Sequence, residues 1–351
     1  MRALIAWLCL LLAVPVGTPA RAEFRQHPGL CAASVALAWP EDGFAGILVA
    51  SATEGRLRLL APAGGAAPRL LGDDLGAFLR QGRRGQEAGL RAGAWLGGRI
   101  YWIGRAGAAR RGGKGGQQAT PDLLFATTVR RNGDGAVVLA PLGLPLELQP
   151  ALARARLGED DGEPDTTEAE LQGLVVAGLV AGPGGASLLL VLRQPQHEGR
   201  AALLPFVNPV AVVEQGAEPV FGEPLPLDLG GMEIRAIVHA PARGEYVILA
   251  GADPAAPRGE AEATGRRRSG LFRWSGRPQE RPVPLAGTAP ALAGLHDLPG
   301  GFVPAALVVH PSGRQALLLG DDTEREMRPG LRCRQLPPAR RHLRSVVLDL
   351  P

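Results

Sequence analysis

Few residues in this 351-residue chain have the type and spacing that chemistry needs. His197, His239, His296 and His310 form no His-x-His, His-Glu-x-x-His or i, i+4 pair, so their spacing supports no shared metal and each reads as a surface or satisfied core histidine. A serine nucleophile wants an elbow of the Gly-x-Ser-x-Gly kind, and Ser187, after Gly185-Ala186, runs straight into an apolar strand instead. The Gly107–Gly116 stretch invites a phosphate-loop reading. Ala108 holds the first glycine's place and Gly115 the hydroxyl's, so it reads as a basic loop. Asp321-Asp322 closes an apolar run and offers hard oxygen ligands to calcium or another divalent cation, with a turn-forming pair as the plainer reading. Arg193 and Arg235 sit in or beside apolar strands, where the planar guanidinium fork suits a carboxylate or phosphate; the alternative is a tie between neighbouring strands through carbonyls or an acid such as Asp228.

The elements that must carry these residues are strands. With 49 Gly and 32 Pro the chain is punctuated too often for long helices or helical repeats. Short aliphatic or β-branched runs recur instead, among them 46–50, 56–60, 99–103, 123–129, 187–192, 201–206, 234–238, 245–249, 270–274, 306–309, 314–319 and 345–348, with turn signals at Gly97-Gly98, Asn132-Gly-Asp-Gly135 and Pro311-Ser-Gly313. Helix is expected only at 74–80 and 145–157. Polar insertions stand near 105–120, 158–170 and 258–269, with strand-rich sequence on both sides of each. Repeated four-strand units of about 40 to 45 residues closing into a ring make an all-β fold, a β-propeller of six or seven four-stranded blades over residues 23–351; a pair of β-sandwiches is the runner-up. Trp39, Trp95, Trp102 and Trp274 fall at strand edges and read as blade packing.

Residues 1–22 have the charged start, apolar core and Ala20-Arg21-Ala22 end of a secretory signal peptide, with an apolar run too short to span a bilayer. Cleavage before Glu23 removes Arg2 and Arg21, taking Lys+Arg from 38 to 36 against 34 acids, so the formal charge falls from +4 to +2. That balance excludes a nucleic-acid partner by charge. Cys31 and Cys333 remain, without a Cys-x-x-Cys, and an oxidising compartment predicts a disulfide joining the two ends of the chain. Periplasmic or secreted residence follows, with no membrane span left after cleavage.

Several ordered segments resemble a family of exported bacterial proteins classed as a domain of unknown function, itself distantly like phytase-like secreted propellers. They include Gly98-Arg-Ile-Tyr-Trp-Ile-Gly104, Ala201–Pro209, Leu271-Phe-Arg-Trp-Ser-Gly276 and Leu317-Leu-Leu-Gly-Asp-Asp322. The resemblance implies acids around one channel mouth, forming a divalent-cation or phosphate-ester site. Here the matching positions read Arg91, Gln172 and Ala305, with Glu87 and Glu170 the nearest acids to the first two, while Arg193, Arg235, Asp321 and Asp322 survive. Replacing carboxylates by a cation, an amide and a methyl removes most affinity for a hard cation. The expectation is a non-catalytic binding or scaffold propeller without a cofactor, taking an anionic small molecule or an envelope protein at a channel mouth lined by Arg91, Gln172, Arg193 and Arg235. A divergent metal-dependent phosphoesterase, holding calcium through Asp321 and Asp322, is the alternative.

Overall fold

A strand with apolar layers on both faces reads as a continuous hydrophobic run, and five such runs organise this molecule. The computed structural model describes residues 23–80, 88–106, 122–133, 136–157, 175–197, 200–251, 269–298 and 300–351; the expected signal peptide lies outside them. After β1 (Arg25–Pro28), strands β2 (Val35–Trp39), β3 (Gly46–Ser51), β4 (Glu54–Leu60) and β5 (Arg69–Leu71) form the first antiparallel sheet. Helix α1 (Leu75–Arg80) leads to the second sheet, β6 (Ala88–Leu96), β7 (Arg99–Ala106), β8 (Asp122–Arg131) and β9 (Val137–Glu147). Helix α2 (Leu148–Leu157) precedes the third, β10 (Val175–Ala181), β11 (Leu188–His197), β12 (Arg200–Phe206) and β13 (Leu225–Leu227), with α3 (Pro209–Gln215) between its last two strands. The fourth is β14 (Glu233–Ala240), β15 (Glu245–Gly251), β16 (Gly270–Trp274) and β17 (Val283–Pro284). Helix α4 (Thr288–His296) then leads to β18 (Pro304–Val309) and β19 (Gln315–Gly320), a small hairpin of β20 (Glu326–Arg328) and β21 (Leu331–Arg332), and β22 (His342–Asp349).

The fifth sheet has the order β18-β19-β22-β1, so the first strand of the chain completes the last blade. Inner strands β2, β6, β10, β14 and β18 neighbour one another around a closed ring. The molecule is therefore a five-bladed β-propeller, not one of six or seven blades. Dividing chain length by a standard blade counted as strands residues that here form connections: among those described, 72–80, 148–157, 285–298 and 321–341 carry α1, α2, α4 and the β20–β21 hairpin.

The core is divided among the blade interfaces, one apolar cluster between each adjacent pair. Leu48 and Ala50 face one neighbour while Ile47 and Val49 face the other, which is why β3 shows no alternation of apolar and polar residues. β15 does the same with Val247 and Leu249 on one side and Tyr246, Ile248 and Ala250 on the other. Four of the inner strands carry a bulge in their first half, at Arg91, Ala177, Arg235 and Ala305. One extra residue reverses the side-chain alternation: Leu90 packs toward the first blade, whereas Ala92, Ala94 and Leu96 pack toward the third.

The ring is fastened twice near its seam. Cys31, in the 29–34 connection, is bonded to Cys333, 302 residues away. On β1, His27 is buried with Nε2 2.8 Å from Ser345 Oγ of β22, and burial, aided by the Arg25 charge, lowers its pKa to about 4. Among the described residues no helix is long and apolar enough to cross a membrane.

Candidate ligand site

The second halves of all five inner strands, with the turns that follow them, enclose an axial cavity of about 460 Å³. Its walls are backbone and apolar side chains, including Leu37, Leu179, Val180, Val238 and Val308. Polar character comes from the turns at its mouth. The 40–43 turn, closed by Gly43 N–H donating to Pro40 O at 2.9 Å, presents Glu41 and Asp42. Burial and the neighbouring Asp42 charge raise the Glu41 pKa, with a hydrogen bond from Gly98 N–H acting against them. Trp95, near the end of β6, joins the lining; its indole N–H donates to Ala38 O at 3.0 Å, and its ring lies 5.6 Å from that of Trp39. From the last two blades come His239, 5.0 Å ring to ring from Tyr246, and His310, whose Nδ1 accepts Ser312 N–H at 3.1 Å and whose ring meets Phe44 edge-on.

The arginines singled out from sequence stand elsewhere. Arg91 and Arg235 belong to the first halves of β6 and β14, at the bulges, and neither lines the cavity. Arg91 Nη1 lies 3.9 Å from Oδ1 of Asp122, a fully buried carboxylate. Arg105 donates to the same oxygen at 2.8 and 2.9 Å, and Gln149 Nε2 to Oδ2 at 3.0 Å. Arg235 lies over Gly251 at the end of β15. Gln172 is outside the described residues; on β10 the bulge falls at Ala177, as it does at Arg91 on β6. Arg193 is in β11 opposite an irregularity in β10.

The two aspartates part company as well. Asp321 is exposed, and its Oδ1 accepts Thr323 N–H at 2.9 Å, the turn-forming role. Asp322 is buried: Arg344 Nε donates to both its oxygens at 2.9 and 3.1 Å, and the Arg344 backbone N–H donates to Oδ2 at 2.8 Å. The Arg344 guanidinium also stands 4.9 Å from the Phe24 ring centroid. A carboxylate held this way is a structural ion pair, and no group of three metal-ligating side chains occurs among the described residues. Sequence reasoning passed over Glu41 and Asp42 and read Trp95 as blade packing; no local spacing links the acid pair to Trp95, because they come from different blades.

No family model matches the chain, and no curated protein does. Among solved structures it is similar to a putative oxidoreductase (glucose dehydrogenase) of Thermus thermophilus, at 16% identity over 93% of this chain and 100% of that one, with a TM-score of 0.41. An α-L-arabinofuranosidase of Lactobacillus brevis matches at 11% identity, 92% coverage of each chain and a TM-score of 0.41. The Cps50 (Swd1) β-propeller domain of Myceliophteria thermophila matches at 8% identity over 92% of this chain and 98% of that one, with a TM-score of 0.34. None of these likenesses bears on what this chain binds.

Proposed function

We propose that this chain is an exported, non-catalytic binding propeller whose ligand site is the axial cavity. The observation that carries the reading is that cavity: a concave, largely apolar space to which every blade contributes, within the range of about 300–1,000 Å³ usual for small-molecule sites. The disulfide suits the oxidising compartment to which residues 1–22 would direct the chain. The metal-dependent phosphoesterase reading loses support from Asp322, whose oxygens are committed to Arg344.

Trp95 supplies the readout. A ligand that enters should change tryptophan emission and raise the thermal midpoint of residues 23–351 by mass action, and Trp95→Phe should remove the emission change. The same thermal measurement with EDTA, calcium, magnesium and phosphate esters tests the alternative. A calcium-dependent rise accompanied by phosphate-ester turnover would overturn the binding reading.

A further inference from the structure

The cavity's charge is not neutral, and it is not the charge that the arginines led one to expect. Its acidic lining groups are Glu41 and Asp42, adjacent in one turn, and neither lysine nor arginine lines it among the described residues. The nearby Arg243 is occupied: it donates to Glu245 at 2.6 Å and to the carbonyls of Gly313 and Pro351 at 3.0 Å each. Near the acids stands Trp95, a lining residue whose ring packs against the apolar cluster between the first two blades, 5.6 Å from that of Trp39. The rest of the wall is the backbone and apolar side chains of the five inner strands.

Each feature selects the same chemistry. Carboxylates at the mouth of a low-dielectric space attract a cation and repel an anion. A tryptophan ring attracts an ammonium or guanidinium through its quadrupole, most strongly where water is displaced. The apolar part of the wall accepts a hydrocarbon body. A positive charge beside Glu41 would act against the burial and the Asp42 charge that raise its pKa.

We propose that the axial cavity takes an organic cation, its apolar body between the inner strands and its ammonium or guanidinium head against Glu41, Asp42 and Trp95. This rests on the reading of the cavity as the ligand site and names the ligand's class.

The test is calorimetric titration of residues 23–351 with three probes of one shape class: benzyltrimethylammonium, benzyl alcohol and benzenesulfonate. The expected result is binding of the cation in preference to the other two, weakened about tenfold or more in Glu41→Gln/Asp42→Asn and again in Trp95→Leu, where tenfold is about 1.4 kcal/mol. Because Glu41 and Asp42 stand at the mouth of the channel, outside the blade cores, the double variant keeps its fold, which far-ultraviolet circular dichroism verifies. Equal or tighter binding of benzyl alcohol or benzenesulfonate, lost in Trp95→Leu, overturns the cation and leaves the cavity reading standing. Cation binding that neither variant weakens places the site elsewhere and overturns both, as does the failure of all three probes to bind.

Discussion

Mild acid should loosen the seam between the first and last strands through His27. In the folded ring this imidazole is buried on β1 with Nε2 2.8 Å from Ser345 Oγ, and its pKa falls from 6.5 to about 4, through burial first and the Arg25 charge second. A base whose pKa is depressed by folding binds its proton more readily in the unfolded chain. Above pH 6.5 both states are neutral at this position and it costs nothing. As the pH drops from 6.5 toward 4 the unfolded state gains protons that the folded state refuses, and below about 4 the loss levels off. At about 1.4 kcal/mol per pKa unit the full loss is about 3 kcal/mol, a large part of the stability of an ordinary domain. His296 and His342 are lowered in the same direction by burial, so the wild-type slope alone does not isolate His27. His27→Gln does, since an amide can still pair with Ser345 and does not titrate. Urea unfolding of wild type and His27→Gln between about pH 7 and pH 4.5 should show the variant losing about 2 kcal/mol less over that interval. Parallel pH profiles would refute the argument, for they would mean that His27 protonates in the fold as easily as outside it.

Other perturbations follow from the same contacts. Removing the Cys31–Cys333 bond, by reduction or by Cys31→Ser/Cys333→Ser, should lower stability by about 2–5 kcal/mol in chemical unfolding, because its 302-residue separation makes the freed loop long. Asp322→Ala leaves the Arg344 guanidinium buried without its carboxylate and should cost about 3–5 kcal/mol, while Asp322→Leu/Arg344→Met recovers most of that loss in a thermal melt. An ideal Cβ on Gly89 would stand 2.0 Å from the Ala52 carbonyl oxygen, so Gly89→Ala should displace β6 from the first blade and cost about 1–3 kcal/mol, read as a lowered urea midpoint.

Much of the fold was legible in the chain because it depends on short-range chemistry. The runs at 46–50, 187–192, 245–249 and 314–319 supply central blade strands, apolar over most of their length because a neighbouring blade covers each face. The short helices at 75–80 and 148–157 fall inside the stretches expected for them, while 209–215 and 288–296 were unmarked, being too brief for helical periodicity to show. Cys31 and Cys333 pair as expected.

Blade number and site were decided only by tertiary structure. A blade is defined by which runs pair, and the pairing of Arg25–Pro28 with β22 joins residues more than 300 apart, which no local pattern encodes. Glu41 and Trp95 come to line one cavity only when β2 and β6 lie side by side in the ring. Arg91 drew attention by standing at an expected acid's position and Arg235 by its apolar strand, yet each sits at a bulge, at the end of its strand opposite the cavity. Composition and periodicity specify what a segment buries; which end of a strand lines the cavity is set by how the ring closes.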